Sequence, residues 1–165
     1  MARTTDELLA FLSTLGIEAQ TTRHPPLFTV ADSKALRGQI PGAHTKNLFL
    51  KDKKDNFFLV SVDEDAQVDL KTIHSAIGAA SRVSFGNPER LMALLGLTPG
   101  AVSLFGAIND VDGKVRVIID AALMEAAAIN AHPLTNEATT SVSPAGMLQF
   151  LAATGHEPAI LKIGA

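Results

Sequence analysis

The sequence predicts an α+β fold, a single domain in which a mixed sheet carries helices packed against it. Two observations lead there. β-rich runs occur both back to back, as a hairpin, and separated by helical patterns, which a doubly wound parallel sheet would not show. The chain has 165 residues, 47% of them hydrophobic, a size that suits one core, since chains usually split into domains only beyond ~100–200 residues. No fixed-period repeat, low-complexity tract or linker divides it, so residues 1–165 are expected to form one domain.

The elements follow in order. Thr4 caps a first helix, with Glu7 three residues on as in a capping box and Gly16 closing it. Leu8, Leu9, Phe11, Leu12 and Leu15 recur at helical spacing. An extended run over 17–22 precedes the His24-Pro25-Pro26 turn, and a second helix is expected over 30–37 behind Thr29. Gly38 and Pro41-Gly42 interrupt the pattern. Residues 47–50 and 57–62 are β-rich, joined by a polar hairpin loop over 51–56. A helix over 68–77 ends at Gly78, and a strand follows at 82–85. Asn87-Pro88-Glu89 opens a helix closed by Gly96. A central strand over 114–120, a helix over 121–129 by alanine propensity, and a strand over 138–142 come next. Ser143-Pro144 starts the last helix, Gly155 ends it, and 159–163 is the final strand.

Composition excludes several classes. The apolar fraction is too high for disorder. With no Cys there is no disulfide, no thiolate nucleophile and no Cys-based metal site, a pattern suited to a reducing, cytoplasmic compartment. The longest apolar stretch, 121–129, is interrupted by Glu125 and is far short of the ~20 residues a bilayer requires. The formal net charge is -3. It is unevenly spread: Arg23, Lys34, Arg37, Lys46, Lys51, Lys53 and Lys54 face only Asp32 and Asp52 within that window, a local +5. The rest of the chain holds seven basic and fifteen acidic residues, or -8. One segment is thus positive on a negative body, either a solvated lysine-rich loop or a footprint for an anionic partner.

The dinucleotide, P-loop and nucleophile-elbow motifs are missing. Five scattered histidines (His24, His44, His74, His132, His156) include no metal-binding pair at i, i+4, and no metal or cofactor is expected. What remains is polar residues at the ends of strands. Lys46, entering an apolar strand, can place a fixed positive charge beside a phosphate or a developing oxyanion, or can be an ordinary strand-edge lysine. The glycine-bearing loop 97–106 lets backbone N–H groups approach a ligand. The polar loop 130–136 lies between a helix and a strand.

Four segments taken together, His24-Pro25-Pro26-Leu27-Phe28-Thr29, residues 46–54, residues 100–110 and His132-Pro133-Leu134-Thr135-Asn136, are similar to the YbaK/ProX family of aminoacyl-tRNA editing domains, and most to its ProX branch. The resemblance spans nearly the whole chain in order. It implies a barrel-like, mostly antiparallel mixed sheet with surrounding helices. It also implies hydrolysis of the ester joining a wrongly attached amino acid to tRNA, alanine on proline tRNA. The other readings are a deacylase for another mischarged tRNA, such as cysteine on proline tRNA, or a non-catalytic tRNA-binding module of the same fold. One departure stands out: Leu104 occupies the place where the family usually has proline before Phe-Gly, so the loop lacks a fixed φ.

Carried over residue by residue, the resemblance gives Lys46 charge stabilisation at the scissile ester, or a hold on the terminal phosphate or ribose. It gives the backbone N–H groups of Gly100 and Ala101 the ester carbonyl. Asn47 is expected to orient the lysine or a substrate hydroxyl. His132 is expected to line the aminoacyl pocket or bond the substrate, with a general base and a structural loop histidine as the other readings, and Ser103 and Gly106 of the glycine loop are expected on the substrate. Phe28, Val30 and Phe49 would wall a small side chain. Lys51, Lys53 and Lys54 would meet tRNA phosphates. The expected partners are the acceptor end of a mischarged tRNA and prolyl-tRNA synthetase. A separate editing site makes physical sense, because a pocket built for proline rejects a smaller side chain by only ~1–3 kcal/mol.

Overall fold

Helix α1 (Thr5–Thr14) starts where the sequence reading places it: the Thr4 hydroxyl accepts from Glu7 N–H and the Glu7 carboxylate accepts from Thr4 N–H. Its apolar stripe buries Leu8 and Leu12 completely. β1 (Gln20–Arg23), β2 (Ala43–Lys51) and β3 (Phe57–Asp63) follow. Next come the short helix α2 (Ile73–Ile77), β4 (Ser84–Phe85) and α3 (Pro88–Leu95), the last capped by the Asn87 side chain and closed by Gly96 in the left-handed region. Two 3-10 turns, Pro99–Ala101 and Leu104–Asn109, lead into β5 (Val115–Asp120). A further 3-10 turn, Ala121–Glu125, precedes β6 (Ile129–Ala131) and β7 (Ala138–Val142). α4 (Pro144–Ala153) and β8 (Ala159–Leu161) complete the chain. This computed structural model describes residues 2–26, 32, 34, 35 and 38–164.

The strands form an open mixed sheet in the order β1-β7-β6-β2-β3-β5-β8, with β4 added to β2. β2 is the strand that joins its two halves. It pairs parallel with β6 through Ala43 and His44, and antiparallel with β3 from Thr45 to Lys51. Side chains alternate between faces along a strand. The first face carries Phe49, Phe57, Leu59, Val117 and Ile119, covered by α1, α3, α4 and the 3-10 turns, with Phe105 edge-on to Phe150 beneath them. The second face carries Leu50, Phe58, Val60, Val62 and Ile118, covered by Ile73 and Ile77. At the β1-β7-β6 end that same second face turns polar, bearing Thr139, Ser141 and Asn130.

Two expectations fail for a shared reason. Residues 121–129 are not a helix: a 3-10 turn is followed by β6, because Ile129, Asn130 and Ala131 find strand partners on both sides, in β2 and β7. Tertiary pairing overrides the helix propensity of alanine. Likewise β2 begins at Ala43 instead of residue 47. Gly42 makes that start possible: at φ +104 it sits where a Cβ would lie 2.9 Å from the Ala128 carbonyl. The helix expected over 68–77 shrinks to Ile73–Ile77.

The hairpin loop between β2 and β3 is organised by one carboxylate. Asp52 is buried and accepts from the N–H groups of Lys54, Asn56 and Ala80 and from the Asn56 amide. Burial alone would raise its pKa, but these hydrogen bonds outweigh it and hold the group at about 2, below its ordinary 3.8. The depressed value fixes the sign. Asp52 stabilises the fold fully above pH 3.8, and the contribution is lost as pH falls through about 2. Asp52→Ala is expected to destabilise the protein by about 1–3 kcal/mol near neutrality, because buried donors lose their acceptor. Denaturant titrations at stepped pH should show the gap from the unsubstituted protein narrowing only below pH 3.8.

Candidate active site

The site lies where β2 and β6 part. Lys46 in β2 and His132, one residue past the end of β6, stand two residues along the chain from His44 and Asn130, the pair that the parallel register sets side by side. Beyond that pair the backbone ladder ends, and the Thr45 hydroxyl donates to the Asn130 carbonyl at 2.8 Å in place of a ladder bond. Clefts form where neighbouring strands diverge beyond their carboxyl ends. Here the divergence leaves the β2 edge from Lys46 to Leu48 without a strand partner among the described residues until β4 pairs at Leu50. Lys46 is half-buried, and among the described residues its ammonium has no hydrogen bond or ion pair. It shares the second face with His44.

His132 is fixed with unusual care. Its carbonyl accepts from the Ser103 hydroxyl at 2.6 Å and from Leu134 N–H at 2.9 Å. The Thr5 hydroxyl of α1 donates to the neighbouring Pro133 carbonyl at 2.7 Å. Leu134 adopts φ +67, a strained conformation for a branched side chain, held in place because that side chain packs into the first core. The imidazole Nδ1 lies 3.1 Å from the Ala138 carbonyl. A carbonyl only accepts, so Nδ1 carries the proton and Nε2 keeps its lone pair. Burial lowers the His132 pKa below 6.5, as do His24 and His44, while the Ala138 carbonyl and Glu64 act against it. His132 is therefore neutral at pH 7, with a basic nitrogen free of any protein partner among the described residues.

The surroundings are polar on the same face. His24 bonds the Pro25 carbonyl through Nδ1 and Thr139 through Nε2. His44 donates from Nε2 to the Ile40 carbonyl. Asn130 receives the Ser141 hydroxyl and donates to the Pro41 and Ala43 carbonyls. Among the described residues no group of three or more His, Asp or Glu is arranged to hold a metal ion. The chemistry available is a fixed cation, a neutral base and backbone donors.

The other expected residues divide cleanly. Gly100 lies against Asn136 of the His132 loop, and its N–H donates to no protein acceptor among the described residues. Ala101 does not supply a donor, because its N–H is spent on the Thr98 carbonyl at 2.9 Å. Asn47 and Phe49 point to the opposite face from Lys46, since successive strand residues alternate. Asn47 thus does not orient the lysine, and Phe49 does not wall a pocket with it: the Phe49 ring stacks on Phe57 and packs beneath Gly86. Ser103 is fully buried, its hydroxyl occupied by His132 and by Phe105 N–H, so it holds the loop rather than a substrate. Gly106 is buried where a Cβ would meet Leu97 at 2.6 Å, and it serves packing. Phe28 and Val30, with most of the helix expected over 30–37, lie outside the described residues. Lys51, Lys53 and Lys54 sit at the far end of the hairpin, ~17 Å or more along the strand from Lys46. Lys51 pairs with Asp55 at 3.5 Å, and the other two are exposed.

Thr5 was not singled out from sequence, and Thr45, His44 and Leu134 were given no role of their own: Thr45 as the neighbour of Lys46, His44 as one of five scattered histidines, Leu134 as part of the His132 motif. Thr45 stands next to Lys46, so the open end of a strand was visible there; the contacts of Thr5 and Leu134 join segments more than 100 residues apart or depend on backbone conformation, and no local pattern reveals them.

The family model for the aminoacyl-tRNA editing domain matches residues 24–150, which contain every element of this site except Thr5. The chain belongs to the aminoacyl-tRNA editing domain family. Over 160 residues it is 36% identical to prolyl-tRNA synthetase associated domain-containing protein 1 of Mus musculus, covering 94% of each chain. It is 34% identical over 150 residues to the prolyl-tRNA editing protein ProX of Acetoanaerobium sticklandii, covering 90% of this chain and 91% of that one. A crystal structure of a proposed trans-editing enzyme for prolyl tRNA synthetase superposes with a TM-score of 0.72 at 21% identity, covering 99% and 100% of the two chains. The mixed sheet with its flanking helices is thus the editing-domain fold. Among the described residues no helix is long and apolar enough to cross a membrane.

Proposed function

We propose that the whole chain acts as one editing domain that hydrolyses the ester of mischarged proline tRNA, alanine being the amino acid released. Prolyl-tRNA synthetase would be the source of the mischarged product. The observation that carries this reading is a neutral, immobilised His132 whose Nε2 has no partner among the described residues, following β6 where that strand parts from β2, the strand that carries an uncommitted Lys46. In the step, water adds to the ester carbonyl, the tetrahedral oxyanion collapses, and the ribose oxygen leaves with a proton. His132 Nε2 accepts the proton of the attacking water, directly or through the neighbouring ribose hydroxyl. Lys46 and the Gly100 N–H face the negative charge that develops on the carbonyl oxygen; such a donor is typically worth about 3 kcal/mol. No side-chain nucleophile is needed, in keeping with a chain that has no Cys.

The exposed Lys53 and Lys54, with Lys51, supply a salt-sensitive attraction for tRNA phosphates while the acidic remainder of the surface limits indiscriminate binding. The test is incubation of the purified protein with alanine-charged and with proline-charged proline tRNA. The expected result is release of alanine alone, with the Lys53→Glu/Lys54→Glu double variant raising KM at low salt. Equal release from both tRNAs, or release of cysteine alone, would refute the assignment of alanine; release of nothing while tRNA still binds would make the domain a binding module.

A further inference from the structure

We infer that Phe85 is a stacking platform for a base of the unpaired 3′ terminus of the RNA, upstream of the esterified nucleotide; the identity of that ligand rests on the reading above. Phe85 is the most exposed aromatic side chain among the described residues, at 59%. Its neighbour two residues back, Val83, packs into the second core, whereas the Phe85 ring has no aromatic partner among the described residues. The backbone beneath it is rigid. Phe85 pairs with Leu50, and Gly86 N–H bonds the Phe49 carbonyl at 2.9 Å, clamped against the Phe49 ring. A ring that contributes little to the core is thus held at a fixed point.

That point lies in line with the site. Cross-strand partners project from the same face, so Phe85 shares the face of Leu50, Leu48 and Lys46. Four residues of strand separate Lys46 from Leu50, ~13 Å, and the β2 edge that runs between them has no strand partner among the described residues. Stacked nucleotides rise about 3.4 Å each, so a few nucleotides leading away from an ester at Lys46 reach Phe85. Beyond it the surface is cationic. The hairpin tip is bonded to the segment before β4, through Lys53 N–H to Ser81 and Ala80 N–H to Asp52. The exposed Lys53, Lys54 and Arg82 are thereby brought to the β4 end of that edge, while Lys51 projects from the opposite face. Of the nearby carboxylates, Asp52 is buried within its own hydrogen bonds and Asp55 is paired with Lys51. An aromatic face along an open edge, followed by clustered cations, suits single-stranded nucleic acid, in which bases stack and phosphates pair.

The test is direct binding of a 5′-fluorescein-labelled RNA hairpin ending in the unpaired CCA of an acceptor stem, followed by fluorescence anisotropy, for the unsubstituted protein, Phe85→Ala and Phe85→Tyr. Stacking by one aromatic ring is worth about 1–3 kcal/mol per base, so Phe85→Ala should weaken binding roughly five- to a hundredfold, and Phe85→Tyr should retain it. In parallel, hydrolysis of alanyl-adenosine, which lacks upstream nucleotides, should be unchanged in Phe85→Ala. Unchanged RNA affinity in Phe85→Ala overturns the platform, as does an equal loss on alanyl-adenosine, or a dimer that Phe85→Ala converts to monomer with RNA binding intact. Absence of deacylation by the unsubstituted protein, with Phe85-dependent RNA binding, sinks the catalytic reading and leaves the platform standing.

Discussion

Lys46→Ala is expected to reduce release of alanine from charged tRNA by about 10²–10³-fold in kcat, the loss typical of removing one donor from a developing oxyanion. The magnitude rests on placement. Among the described residues the ammonium is engaged by no carboxylate, so its charge is available to substrate, and its strand is fixed by β3 from Thr45 to Lys51. Stability should change little, because the half-buried amine holds nothing together; thermal melting checks that. Lys46→Arg should rescue poorly, since a planar guanidinium is wider than an ammonium and directs its donors differently. If kcat holds in Lys46→Ala while KM rises, the lysine grips the terminal phosphate or ribose instead of the reacting carbonyl.

His132→Ala should cost about 10²–10⁴-fold in kcat, the usual range for a general base, and His132→Gln should not restore it. The pH profile separates this role from a structural one. A base works when neutral, so activity should fall as pH drops through its pKa. Burial places that pKa below 6.5, with His24 and His44 pushing it down and the Ala138 carbonyl and Glu64 pushing it up. The acid limb of the kcat profile should accordingly lie below pH 6.5 and vanish in His132→Gln, whose residual rate is flat there. A limb at or above 6.5, or one that survives the substitution, assigns the titration to another group. Because the His132 carbonyl accepts from the Ser103 hydroxyl and from Leu134 N–H, the backbone should keep its place when the imidazole is replaced.

Capping boxes, glycine stops and β-rich runs marked α1, α3, α4, β3 and the hairpin loop before it at close to their observed bounds, because each is written in local residue chemistry, whereas the first four residues of β2 were missed. β6 was hidden, since Ala-rich residues 121–129 carry a helical preference that only distant pairing with β2 and β7 reverses. The same divide runs through the site. Lys46 and His132 stood out as polar residues in loops and strand ends. That Asn47 and Phe49 turn away from Lys46 follows from strand alternation alone, once the strand is known to begin at Ala43 and to be covered on both faces. A two-sided strand conceals which side carries the chemistry. Ser103 and Gly106 looked like ligand contacts because serine and glycine in a loop serve either purpose; their complete burial decides it.

One strand, β2, belongs to both halves of the sheet, and the reactive gap is the place where it leaves one half for the other. The aperture is therefore set by the relative twist of those two halves, which share one apolar cluster on the first face, while only the β2-β3-β5 half has a second cluster on the other. Discrimination between amino acids that differ by a methylene would then be governed by the stiffness of the whole scaffold, and remote repacking of the shared cluster should alter substrate preference without touching a residue that meets the substrate.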